Sequence, residues 1–243
     1  MKKIIFLVFI LFQTLIYAQF RKQITYGFYA GANYSQMSNL KNVFIPQNFY
    51  QGFNTNEEGK IGAVAGFFLN WKYEEQRVSI QPEIFYSRQT TDFNYNDIKG
   101  LNYTVNFSYD YLNAGFLIKY YPTEQFYIGA GPNLALNISS DNIKYTSNSK
   151  ELSASTVVYF EPDIVVQKYL KESIEGKNYF QTIFGLGYEF NNGLIIGARY
   201  HLGISDALET KENGFRFIEN KNKTTAYSIH IGYRFDFDAL NNF

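Results

Sequence analysis

Cysteine is absent from all 243 residues. That absence excludes a disulfide framework, a thiolate metal centre and a lipid-modified N-terminal cysteine. Excess charge is missing as well: 22 basic residues balance 22 acidic ones, so no basic field invites nucleic acid. Past the N-terminus, no segment approaches the roughly 18 apolar residues that a membrane-spanning helix needs. Gly-x-Ser-x-Gly, His-Glu-x-x-His and acidic metal clusters are not found either. These gaps argue against an enzyme, and no cofactor is expected. The Asn-x-Ser/Thr matches at Asn33, Asn106 and Asn222 are read as chance matches.

Aromatic residues, by contrast, are plentiful: 24 Phe and 22 Tyr against a single Trp. Such a composition suits a surface with interfacial aromatic girdles. At the start of the chain, Lys2 and Lys3 precede an apolar run from Ile4 to Tyr17, followed by Ala18 and Gln19. Residues 1–18 therefore read as a secretory signal peptide, too short to span a bilayer. Residues 19–243 are expected to form one domain.

Within that domain eight stretches place an apolar residue at every second position. They are Tyr26–Tyr34, Ile61–Trp71, Val78–Tyr86, Leu112–Tyr120, Phe126–Leu136, Phe180–Phe190, Leu194–Ile204 and Tyr227–Phe235. Of the 44 alternate positions on this face none is charged, and only Thr182 is polar. A period of two residues is the signature of a strand, and a charge-free face around all eight strands is expected to meet lipid. The fold class predicted is all-β, an eight-stranded antiparallel transmembrane β-barrel of the outer membrane.

The connections alternate in length. Lys72–Gln76, Pro122–Gln125 and Asn191-Asn192-Gly193 are tight, with proline and Asn-Gly turn chemistry at the last two. The other four, Met37–Gly59, Thr90–Gly100, Ser139–Lys177 and Ser205–Lys223, are long. Short periplasmic turns and long extracellular loops are the pattern of outer-membrane barrels. The segment Leu101–Tyr111 alternates on the opposite parity, with Tyr103, Val105, Phe107 and Tyr109. Either a bulge near Asp110–Leu112 or an extracellular extension of the fourth strand reconciles the two phases. Pro162 followed by Asp163–Glu175 predicts a short helix inside the longest loop.

The second face carries twelve of the 18 glycines, together with Glu83, Lys119, Glu189, Arg199, Arg234, His201 and His230. An eight-stranded barrel is just wide enough to be filled by side chains, so these charges are expected to form a nearly neutral internal network. The competing reading is a narrow path for ions or small solutes. His201, with Ser205 and Asp206 close behind, also invites a lipid-modifying activity, but catalysis needs a nucleophile, base and orienting group within hydrogen-bond reach.

His230, Gly232, Phe235 and Phe237 resemble the C-terminal signal read by the barrel assembly machinery. Several segments together resemble the PorT-like outer-membrane β-barrel family of Bacteroidetes. They are Gly31-Ala-Asn33, Ser79-Ile-Gln-Pro-Glu-Ile-Phe-Tyr86, Tyr111-Leu-Asn113, Leu117-Ile-Lys-Tyr-Tyr-Pro122, Tyr127-Ile-Gly-Ala-Gly-Pro132, Gly185-Leu-Gly-Tyr-Glu-Phe190, Gly197-Ala-Arg-Tyr200 and Gly232-Tyr-Arg-Phe235. The resemblance spans the first strand to the eighth and leaves the loops unmatched. It brings no catalytic residues and does not by itself transfer a role. The chain is read as a non-enzymatic barrel with a structural or interaction role: surface binding, envelope anchoring or support of a secretion apparatus. The partners expected are outer-membrane lipids, the assembly machinery, and envelope or secretion-system proteins.

Overall fold

A computed structural model describes residues 22–45, 51–73, 77–139, 142–155, 159–211 and 221–236. Residues 1–18 and Phe237 fall outside that set, so the signal peptide and the last residue of the assembly signal are not described.

The alternating stretches become β1 (Lys22–Met37), β2 (Phe53–Tyr73), β3 (Val78–Asp97), β4 (Asn102–Tyr120), β5 (Phe126–Asn137), β8 (Tyr179–Glu189), β9 (Leu194–Gly203) and β11 (Thr224–Asp236). Each pairs antiparallel with the next in chain order, β11 pairs with β1, and the ring closes without an edge. Closure satisfies every strand's backbone laterally, which is the condition for crossing lipid. All 44 positions of the apolar face are exposed or partly exposed, and none is buried. Tyr26, Phe28, Tyr233 and Phe235 cluster near one rim, where the Tyr26 and Phe235 rings stack at 5.3 Å.

The short connections 122–125 and 191–193 lie at that end of the barrel, as do the paired strand ends Tyr73 and Val78. In the 191–193 connection, Gly193 takes φ 90°, a left-handed conformation that glycine adopts without strain, and Phe190 N–H donates to Leu194 O across the turn. At the other end the long connections fold into a cap. It contains α1 (Leu40–Phe44), β6 (Ile143–Ser147), α2 (Ser149–Ser155), α3 (Asp163–Ser173), β7 (Ile174–Gly176) and β10 (Leu208–Thr210). The helix expected after Pro162 is present as α3, with Pro162 at its N-cap.

Two connections expected as loops are mostly strand. β3 and β4 run 20 and 19 residues, about twice the 9–11 that cross a bilayer. The long connection Thr90–Gly100 shrinks to a hairpin tip, and β2 reaches back to Phe53, shortening the one before it. No bulge occurs near Asp110–Leu112: β3 and β4 keep one register from Val78↔Tyr120 to Asn96↔Asn102. The strand extends, and it is the environment that changes. Below Tyr111 the odd-numbered inward positions are polar or mixed; above it they are Tyr109, Phe107 and Val105, all buried. The even positions turn polar there: Asp110, Ser108, Asn106 and Thr104. Lipid outside favours apolar-out, whereas water outside favours apolar-in, so one unbroken strand shows both patterns. The register shift that does occur lies between Lys60 and Val64, where β2 meets β3.

Candidate functional site

The interior divides into layers. The cap core packs Phe93, Tyr95, Val105, Phe107, Tyr109 and Tyr111 from β3 and β4 against Leu40 and Val43 of α1, Ile143 of β6 and Leu170 of α3. Phe44 and Phe93 stack at 4.9 Å, and Tyr111 meets Tyr179 edge-on at 5.1 Å. The outer edge of β6 is covered by α3: Asp163 accepts from Ser147 N–H at 2.8 Å and from Ser147 Oγ at 2.5 Å, and Gln167 Oε1 accepts from Tyr145 N–H at 3.0 Å. A bare strand edge above the membrane would template aggregation, and these side chains block it.

Below the cap, Gln181 Nε2 donates to Asn113 Oδ1 at 2.9 Å and to Asn133 Oδ1 at 2.8 Å, while Asn113 Nδ2 donates to Ser87 Oγ at 2.9 Å. This amide layer sits on the first ion pair. Glu83 on β3 takes a bidentate pair from Arg199 on β9, at 2.8 and 2.9 Å. In the ring order β3 and β9 stand four strands apart, so the pair spans the barrel's full diameter. Tyr29 Oη accepts from Arg199 at 2.8 Å, and Gln81 Nε2 donates to Glu83 Oε2 at 3.0 Å. Arg199 stands opposite Gly185, and Glu83 opposite Gly115, so both long side chains have space to cross the lumen.

Closer to the short turns lies a second cluster. Glu189 accepts from Lys119 at 2.9 Å, from Arg234 at 2.8 Å and from Tyr121 Oη at 3.1 Å. Lys119 Nζ also sits 3.9 Å from the centroid of the Tyr127 ring. The space for that ring comes from Gly187, where a Cβ would lie 2.6 Å from Tyr127 Oη.

Five of the seven residues expected as one network thus form two carboxylate-centred groups, Glu83–Arg199 and Glu189–Lys119–Arg234. The histidines carry no ion pair among the described residues. His201 Nε2 shares a hydrogen bond with Ser228 Oγ at 3.1 Å, and His230 packs 4.9 Å from the Tyr29 ring. Ser205, near in sequence to His201, instead accepts the Phe180 amide at 2.9 Å. The His201–Ser228 contact is buried in the lumen, away from the lipid-accessible rim where an acyl-transfer centre would work. Of the assembly-signal residues described, His230 and Gly232 belong to the inward set and Phe235 to the outward set. In sequence, Gln81, Asn113 and Asn133 stand out as polar residues on the inward face, whereas Gln181, Ser87 and Tyr29 carry no signal beyond their parity.

On the outer face of the extended hairpin, Arg88 Nε and Nη2 hold Asp110 at 2.8 and 3.1 Å. The hydrogen bond from Arg88 holds the Asp110 carboxyl below its ordinary range, against a smaller desolvation effect. A depressed carboxylate stabilises the fold above its unfolded pKa of about 3.9 and loses that contribution as pH falls through the folded value. Relative to the wild type, Asp110→Asn should therefore melt with a shallower acid dependence below about pH 4. Superimposable pH–Tm curves would mean the pair contributes nothing. The expected difference is modest, because half of Arg88 is exposed.

A family model described as "Outer membrane protein beta-barrel domain" matches residues 17–209. Among solved structures, the outer membrane protein OprG from Pseudomonas aeruginosa aligns at 14% identity over 88% of this chain and 95% of its own, with a TM-score of 0.41. Ail, the attachment invasion locus protein of Yersinia pestis, aligns at 12% over 88% and 99%, with a TM-score of 0.35. The outer membrane protease OmpT from Escherichia coli aligns at 11% over 89% and 96%, with a TM-score of 0.32. No curated protein matches the chain.

Proposed function

The chain belongs to the outer membrane protein beta-barrel domain family, and from that premise we propose that it is a non-conducting, non-enzymatic barrel of the PorT-like kind, working through contacts at its surface. The observation that carries this reading is the double closure of the lumen. An apolar cap core lies across the long-loop end, and ion pairs with buried aromatic side chains fill the shaft below it. A path for ions needs a continuous wetted lumen, and an apolar plug of this kind opposes wetting. The long strands of the β3–β4 hairpin are unnecessary for crossing lipid; they build an external body rigid enough to be recognised. Surface binding, envelope anchoring or support of a secretion apparatus are the roles such a body serves, with outer-membrane lipids around the barrel and the assembly machinery as its partner during biogenesis.

The pure protein in planar bilayers is expected to give no steady current. Reproducible large single-channel steps would replace this reading with the channel. Co-purification from the native envelope tests the contact role: stable association with secretion or envelope proteins is expected, and recovery as a lone barrel would count against it.

A further inference from the structure

The lipid-facing wall is not smooth. Across β1, β11, β9 and β8, reaching β5, it carries two adjoining hollows of about 600 and 730 Å³. Ala32, Leu186, Ala198 and Ile229 line both, so the two form one trough. Small residues make its floor. Ala198 lies in register between Ile229 and Leu186, and Ala32 lies on the other side of Ile229. The trough has unlike ends. At the upper end Tyr34 and Tyr227 pair across β1 and β11 as the last outward aromatic residues before Gln36 and Thr225. Tyr34 leans toward the long loops rather than over Ala32: its ring covers Gly59, where a Cβ would lie 2.6 Å from Tyr34 Cζ. At the lower end Phe126 and Phe190 stand beside the short connections, and the Tyr188 hydroxyl is already turned to Gln125.

We infer that this trough seats one acyl chain of an outer-leaflet lipid, with its head group against Tyr34 and Tyr227. The trough opens on the face that already meets lipid, so its occupant comes from the bilayer. Inside lipid no hydrophobic gain separates one apolar surface from another, and van der Waals packing decides which contacts persist. A chain lying in a trough is touched from below and from both sides, whereas a chain on a smooth wall is touched from below alone. Tyrosine carries an apolar ring and a polar tip suited to the head-group level, which sets the polar end of the occupant at the upper end. A second copy of the barrel fits less well: its wall is convex, and two convex walls meet along a line that leaves a trough unfilled. The seat is independent of the role proposed for the external body.

The test uses the full mature chain folded in mild detergent, freed of lipid and titrated with dipalmitoyl phosphatidylglycerol, while native mass spectrometry counts the lipids retained. One lipid should stay on the wild type at concentrations where the rest have dissociated. Ala198→Phe, which fills the floor shared by both hollows, should weaken that retention at least about tenfold. Ala114→Phe, the same change on the outward face of β4 away from the trough, should leave it unchanged. Heat-modifiable gel mobility confirms that both variants are folded. Dipalmitoyl phosphatidylcholine should be retained as well, because the seat holds the chain. Equal retention by all three proteins, or no retained lipid, would overturn the seat. Retention that follows the head group and ignores Ala198→Phe would do the same. A dimer that excludes lipid and is broken by Ala198→Phe would reassign the wall to a contact between copies.

Discussion

Arg199→Ala is expected to destabilise the detergent-folded barrel by about 3–5 kcal/mol, the cost of leaving a buried charge without its partner. The charge left behind is Glu83, which is 4% exposed and, among the described residues, retains only the Gln81 amide. The same substitution strips Tyr29 Oη of its donor. Arg234→Ala should cost much less. Its side chain is 18% exposed, and Glu189 keeps both Lys119 and Tyr121 when Arg234 is gone. A melting series therefore has a predicted order, with Arg199→Ala far below Arg234→Ala and the latter near the wild type. Equal losses would show that the two carboxylate groups behave as one network after all.

A second arm separates bracing from function. Replacing the whole constellation by apolar groups of similar volume, Glu83→Leu with Arg199→Met and Tyr29→Phe, leaves no orphaned charge and should recover most of the loss. If the triple variant melts like the wild type but fails in the native envelope, the polar interior serves something other than the fold. If it melts like Arg199→Ala, the cost lies in packing rather than charge.

What could be read from the sequence follows one physical rule. Every strand that touches lipid on one side and lumen on the other alternates with period two, and there the expected faces agree with the structure from Tyr26 to Phe235. The rule assumed lipid outside at every height. Tyr103, Val105, Phe107 and Tyr109 stand above the membrane, where the solvent outside is water, so their apolar parity looked inverted although the backbone never changes phase. The cap was largely unreadable for a related reason. Val43, Ile143 and Leu208 lie in short elements of five, five and three residues, too brief for periodicity to register. The internal charges could be named from their parity. Their partners depend on which strands stand opposite around the ring, and so on closure of the whole barrel.

Phe107→Ala is expected to open the cap while the barrel stays folded. Phe107 and its neighbour Phe93 are essentially fully buried in the cap core, and truncating such a side chain costs about 3–5 kcal/mol. The loss should remain local, because the cap core is a separate cluster from the lumen cluster around Tyr29, Phe68, Leu117 and Tyr127. A local penalty of about 3 kcal/mol raises the open population roughly a hundredfold. Limited proteolysis reads this out: cleavage between Ser149 and Ser173, the span carrying α2 and α3, should accelerate by about that factor. The shaft is braced independently by Glu83–Arg199 and Glu189–Lys119, so heat-modifiable mobility and barrel melting should hardly move. Unchanged proteolysis would mean the cap core does not hold the cap. Simultaneous loss of cap and barrel would mean the two layers form one cooperative unit, with the long β3 and β4 strands transmitting the damage through the membrane.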